Sequence, residues 1–402
     1  MNSKISISRR EFGKMSALAV AATATAAIEP GRDEPLTVCA VERNTEIRTP
    51  QAFAHMAVRS HDLSASRAWY KTVLACNEPF GAPFAAWQTY DEEHHRVSLL
   101  STGGAAQRSA DTGGCDHFTY VYQSLQQLLS VYARLESQGI QPLRSVTYGP
   151  TTSFFYADPS GNGIELLVNE IDSTEDLERY CSNGILASDS GGKPVDPHKL
   201  IDSEEAKLSS AAIAPKGMTS VVIRTPRYQH LIGWYRTVLG CRITYQNDRV
   251  TFLSYDEHPH RIAIVSDPKA KPPDPQSGFD HFAFEYKNLE DLIIHTYARL
   301  KNEGIRPYWS TNHGMTTSLY YPDPDGNRIE IQVDNFPTKA EGLKYINGPQ
   351  FAANPVGIDF DPDELGDKIK GGASYEELHY RVEGPRTTPV PSSAPSPWRV
   401  LG

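Results

Sequence analysis

The chain is written twice. The stretch from Phe53 to Val168 recurs from Met218 to Val333, with landmarks in the same order. RAWYKTVLAC (Arg67 to Cys76) answers GWYRTVLGC (Gly233 to Cys241), and YDEEHHRVSLLS (Tyr90 to Ser101) answers YDEHPHRIAIVS (Tyr255 to Ser266). CDHFTYVY (Cys115 to Tyr122) answers FDHFAFEY (Phe279 to Tyr286), and TTSFFYADPSGNGIELLV (Thr151 to Val168) answers TTSLYYPDPDGNRIEIQV. The offset is 165 residues at both Arg59/Arg224 and Glu165/Glu330, so the copies are nearly colinear. Such a chain folds as two versions of one unit.

Each copy contains a smaller repetition. In the first, alternation predicts a strand over 54–59, a helix over 64–74 with Trp69, Tyr70 and Leu74 on its apolar side, and strands over 87–90 and 96–100. The pattern restarts with a strand over 117–122, a helix over 125–138 stopped by Gly139, and strands over 153–156 and 163–168. The order is βαβββ twice per copy, four modules in all. The expected organisation is a leader over 1–30, a first domain over 50–170, a polar linker over 171–215, a second domain over 216–350 and an extension over 351–402. The tail PRTTPVPSSAPSPW is Pro/Ser-rich and is expected to take no part in the chemistry.

Composition excludes several classes. Cys39, Cys76, Cys115, Cys181 and Cys241 are odd in number, scattered and without a CxxC pair, so neither a disulfide framework nor a zinc cluster is indicated. The net charge of -10, with no basic stripe, argues against nucleic acid. Arg9 and Arg10 ahead of Phe12 and Lys14, followed by an Ala-rich stretch, resemble a twin-arginine export signal cleavable after Ala26. That stretch is too short to span a bilayer, so the expectation is an exported, periplasmic protein if the signal operates and a cytoplasmic one otherwise.

Three residues of the first copy have both the type and the placing for a metal: His55 and His117 on first strands of their modules, and Glu165 on a last strand. Two imidazoles and one carboxylate form the donor set for iron(II) with open positions. Taken singly, each would be an ordinary edge or surface residue. Glu165, however, lies within IELLV, where a carboxylate is costly unless paired with a cation. Of the adjacent His94 and His95 only one can face such a site; His95 is the choice, and the second copy keeps His260 there with Pro259 beside it. An imidazole there, with its pKa close to neutral, suits a general base that later returns the proton.

AHMAVRS, EEHHRVSLL, CDHFTYVY and DPSGNGIELLV together resemble the vicinal oxygen chelate superfamily, and within it the extradiol dioxygenases related to biphenyl-2,3-diol dioxygenase. The resemblance implies an α+β fold: tandem domains, each of paired βαβββ modules forming a curved mixed-sheet cup. It implies His55, His117 and Glu165 as ligands of Fe(2+), with Mn(2+) compatible, and His95 as the acid-base group, with Tyr148 as a further hydrogen-bond partner. In the second copy Ser220 stands where His55 stands in the first, leaving His281 and Glu330 as weaker candidates with His260, His313 and Tyr320. The expected reaction is ring opening of a small catechol-type diol by O2. A metal-dependent glyoxalase-like isomerase or lyase and a non-catalytic binding protein of the same fold remain as alternatives, and homo-oligomerisation is left open.

Overall fold

A computed structural model describes residues 47–104, 107–109, 112–169, 192–204, 207–273, 277–381 and 383–391. The leader, most of the linker's first half, Cys39, Cys181 and the tail beyond Pro391 lie outside them. The strands of the first copy are β1 (Ala52–Ser60), β2 (Asn77–Ala82), β3 (Ala85–Thr89), β4 (Val97–Ser101), β5 (Gly114–Tyr122), β6 (Arg144–Thr147), β7 (Thr151–Ala157) and β8 (Gly163–Asn169). The linker contributes β9 (Lys193–Pro194). The second copy supplies β10 (Gly217–Thr225), β11 (Arg242–Gln246), β12 (Val250–Ser254), β13 (Ile262–Ser266), β14 (Phe279–Glu285), β15 (Trp309–Asn312), β16 (Thr316–Pro322) and β17 (Arg328–Asp334), and the extension supplies β18 (Ile358–Asp359). The strand β2, unmarked by alternation, holds Pro79 and Gly81 and runs at a sheet edge, where a missing ladder donor is tolerated.

Local chemistry explains why the motifs recur. Asp62 and Ser124 cap the helices Leu63–Val73 and Leu125–Ser137 by accepting from the backbone N–H groups of Ala65 and Gln127. In each DPxGN turn the first Asp gathers its own loop: Asp158 accepts from Ser160 N, Asn162 N and Asn162 Nδ2, and Asp323 accepts from Asp325 N, Asn327 N and Asn327 Nδ2. The Tyr of each WY pair reaches the same carboxylate, Tyr70 to Asp158 at 3.0 Å and Tyr235 to Asp323 at 3.1 Å. The glycines between, Gly161 and Gly326, have φ of 84° and 87°, which a side chain would resist.

The modules assemble by exchange. One sheet runs β18-β15-β16-β17-β14-β1-β4-β3-β2, the other β11-β12-β13-β10-β5-β8-β7-β6-β9. Each joins one module of the first copy to one module of the second through a central antiparallel seam, β1 against β14 and β10 against β5. The α+β tandem-module fold stands as expected, but the two modules of one copy do not share a sheet. Between the sheets lies a continuous apolar core, in which Phe53 and Phe282 of the first sheet meet Phe118 of the second at ring separations of 5.8 and 5.9 Å. Alternation along β17 sends Ile329, Ile331 and Val333 into that core and Glu330 to the opposite face. No described helix is long and apolar enough to cross a membrane.

Candidate metal centre

Register brings the donors together. Across the first sheet His55 on β1 stands opposite Ala283 on β14, which stands opposite Glu330 on β17, while His281 lies two residues from Ala283 on the same strand. The small Ala283 lets the flanking side chains converge above it. His55 Nε2 and His281 Nε2 are 3.3 Å apart, and Glu330 Oε2 is 3.1 Å from the first and 3.2 Å from the second. These are the separations of neighbouring ligands on one cation with bonds of about 2.1 Å. Glu330 is 1 % exposed, and its Oε2 is buried without a hydrogen bond of acceptable geometry. An anionic oxygen so placed calls for a cation, and two His with one carboxylate fit a divalent transition metal with open positions.

The neighbours hold these donors in readiness. A register shift between Phe53 and His55 marks a bulge in β1, and Arg96 clamps it by donating to Phe53 O at 3.1 Å and Ala54 O at 2.8 Å. Behind His281, Nδ1 donates to Asp280 at 2.7 Å, leaving Nε2 as the ligand atom, and Asp280 is itself held by Arg59 and Arg328. Burial works against charge on His281, yet the bond to Asp280 and the charge of the adjacent Glu330 carboxylate outweigh it and raise its pKa to about 9. Burial likewise opposes ionisation of Glu330, but His55 and His281 hold it well below the carboxylate range.

Three further groups face this triad. The His95 ring centre is 4.1 Å from that of His55, and burial, with His55 and His94 beside it, keeps it well below the usual imidazole range and therefore neutral near pH 7. His313 is pushed down to about 4 by burial, against the pull of Glu330. Its Nδ1 is bonded to the Val356 carbonyl, which accepts, so Nε2 is free of its proton and meets the Tyr320 hydroxyl at 2.9 Å. A cavity of about 220 Å³ opens above these groups, with Trp87, Leu100, Trp309 and Met315 among its walls.

The grouping differs from the one expected. His55 joins His281 and Glu330, whereas His117 and Glu165 stand in the other sheet, opposite a register line that reads Ser220, Thr119, Glu165. Tyr148 and His260 also lie on that second side: Tyr148 receives a hydrogen bond from Arg144 at 3.2 Å, and His260 stacks on Phe252 at 4.9 Å. There the carboxylate is already satisfied, since Thr119 Oγ1 donates to Glu165 Oε2 at 2.7 Å and His117 Nε2 lies 3.3 Å away. Thr119 occupies the place of Ala283. His95, His313 and Tyr320 therefore line one cavity, drawn from both copies. A second acidic group, Glu93, Glu285 and Asp334, holds the Lys339 ammonium within 2.9 Å of all three and so has its cation built in. Asp280 went unread in the sequence, though the doubled Asp-His pair signalled it.

Comparison with known proteins agrees with this architecture. The model of the Glyoxalase/Bleomycin resistance protein/Dioxygenase superfamily matches residues 52–166 and again 217–331. Biphenyl-2,3-diol 1,2-dioxygenase 2 of Rhodococcus globerulus is 39% identical over 171 residues, 42% of this chain and 90% of that protein. Biphenyl-2,3-diol 1,2-dioxygenase 3 of the same organism is 37% identical over 172 residues, again 42% and 90%. A solved structure of a candidate dioxygenase from Bacillus subtilis has a TM-score of 0.55 at 12% identity, covering 81% of this chain and 97% of its own, a likeness of fold alone.

Proposed function

The chain belongs to the Glyoxalase/Bleomycin resistance protein/Dioxygenase superfamily, and on that footing we propose that it is an iron(II)-dependent extradiol dioxygenase opening the ring of a catechol-type diol with O2. The observation that carries the reading is the buried His55, His281, Glu330 cluster, with an unsatisfied carboxylate oxygen, at the floor of an apolar-walled cavity. The names of the Rhodococcus relatives support it. Iron held by those three side chains would supply adjacent open positions for a diol and for dioxygen.

The chain's own residues do the rest. Neutral His95 accepts a proton at its imidazole from a diol hydroxyl and returns it later in the reaction. Its proximity to His55 places that exchange beside the ligand cluster. The His313 and Tyr320 pair offers a hydrogen-bonding partner on another side of the cavity, its direction set by the Val356 carbonyl. Trp87, Leu100 and Met315 hold the ring and exclude water. From β4 the cavity receives Ser98 and Leu100 and no carboxylate, which favours open positions over the fourth protein ligand that isomerase chemistry would use. The twin-arginine pattern supports export as part of the same proposal.

The test is anaerobic iron(II) loading with metal analysis, then oxygen uptake with catechols. We expect about one iron per chain and a ring-opened product, both lost in His55→Ala and His281→Ala and kept in His117→Ala. Iron and activity lost in His117→Ala but kept in His281→Ala would move the centre to the other sheet. Iron-loaded protein that consumes no oxygen with any catechol would end the dioxygenase reading.

A further inference from the structure

The extension that follows the second copy does not hang free. Gly357 lies so close under β15 that a Cβ on it would collide with Asn312 O, and its φ of 107° suits glycine alone. Buried Arg381 donates to His313 O at 3.0 Å, to Asn354 O at 2.7 Å and to Gln350 O at 3.2 Å, fastening the turn at 354–357 beside the cavity. A second fastening holds the chain's last described residues. Arg386 donates to Gly357 O, to Asp359 Oδ2 at 2.7 Å and to Pro389 O at 3.2 Å, and its guanidinium lies 5.6 Å from the Trp309 ring centre. Asp359 also accepts from Trp309 Nε1 and Thr388 Oγ1.

These ties carry Pro355, Val356, Val390 and Pro391 to the cavity wall, next to Trp309, which stacks on Tyr320 at 4.7 Å. The floor of the cavity is buried, His55 at 3 % and Glu330 at 1 %, whereas Val390 is 47 % and Phe84 on the same rim 53 % exposed. The extension thus forms part of the mouth, over the part of a substrate that lies away from the ligand cluster. Everything it offers there is aliphatic. Its cation Arg386 is engaged with Asp359, and Arg328 of the cavity is engaged with Asp280.

We propose that Pro355, Val356, Val390 and Pro391 of the extension form a specificity-determining wall, selecting diols that carry a neutral apolar group on the ring, with Val390 as the rim residue that ranks them. The proposal takes its substrate class from the dioxygenase reading and adds the segment that discriminates within it. Because Val390 is half exposed, substituting it leaves the core untouched.

The experiment measures binding without turnover. Full-length wild type, Val390→Asp and Val390→Ala, each loaded anaerobically with iron(II), are titrated with catechol and with 3-phenylcatechol by calorimetry. We expect Val390→Asp to weaken 3-phenylcatechol about tenfold while catechol shifts less than about twofold, with Val390→Ala between. Equal shifts for the two diols, no shift for either, or no binding of either diol to wild type would overturn the wall. Oxygen uptake, followed separately, tests the reaction: wild type that discriminates between the diols yet consumes no oxygen refutes the dioxygenase and leaves the wall standing.

Discussion

Two replacements separate the sheets, Ser220 for the ligand His55 and Thr119 for Ala283, and the second can be tested by one hydroxyl. In the second sheet the equivalent Thr119 donates to Glu165 Oε2 at 2.7 Å, a hydrogen bond that Glu330 Oε2 lacks. Replacing Ala283 by Thr places a donor beside Glu330; replacing it by Val adds nearly the same volume without one. Both variants crowd a fully buried position, so both lose stability, by about 1–3 kcal/mol. Only the Thr variant must also break a hydrogen bond to a charged group before a metal can bind, at a cost of about 1.5–3 kcal/mol. That corresponds to metal affinity about 10- to 150-fold weaker for Ala283→Thr than for Ala283→Val. Competitive titration of iron(II) or cobalt(II) against a chromophoric chelator measures the ratio under anaerobic conditions. Equal affinities in the two variants would refute the idea that a satisfied carboxylate adds to the loss of the His55 ligand in silencing the second sheet.

Other consequences follow from neighbouring residues. Arg96→Ala frees the bulge that aims His55, so metal affinity should fall about 10- to 100-fold, whereas Arg261→Ala, which removes the matching bond to Thr219 O, should destabilise the fold and leave metal titration unchanged. Equal metal loss in both variants would sink the aiming role. His95→Gln should keep its iron by metal analysis but lose about 10²- to 10⁴-fold in the rate of oxygen uptake; a rate within a few-fold of wild type would exclude it as the proton carrier. For His117 and Glu165 the sign of the pH dependence is fixed by their shifts. Burial opposes both charges, but their mutual bond, together with Asp116 for the imidazole, raises His117 to about 9 and lowers Glu165 to about 2. The His117 contribution is complete below pH 6.5 and disappears as pH rises through about 9; that of Glu165 is complete above pH 4.5 and disappears as pH falls toward 2. Denaturant titrations should therefore show a larger advantage of wild type over His117→Asn at pH 5.5 than at pH 9.5, and an advantage independent of pH would contradict the pairing.

Much of this was written in the sequence, and the part that was not has a physical cause. The four modules, the capped helices and the DPxGN turns are local, and local patterns announce them. His55, His281, Glu330 and His95 stand out by residue type as well. What a repeat cannot announce is adjacency, because two like modules can pair within a copy or across copies with the same alternation. The seam is settled by long-range antiparallel contact between β1 and β14, and this moves His117 and Glu165 away from His55. The tail misleads for another reason. A Pro/Ser-rich stretch buries little apolar surface, yet Arg386 and Asp359 tie its first residues down with polar bonds that composition does not reveal.

The exchange of modules also sets a clock on synthesis. His55 and His281 are separated by 226 residues of chain. At ordinary rates of translation the second emerges roughly 10 to 45 seconds after the first. A nascent chain carrying only the first copy holds one donor of the centre and lacks β14, so β1, paired with β4 along one edge, has its other edge open. Cutting the connection between the copies would leave two fragments, each without a complete centre, whose recombination would be reported by the return of metal binding.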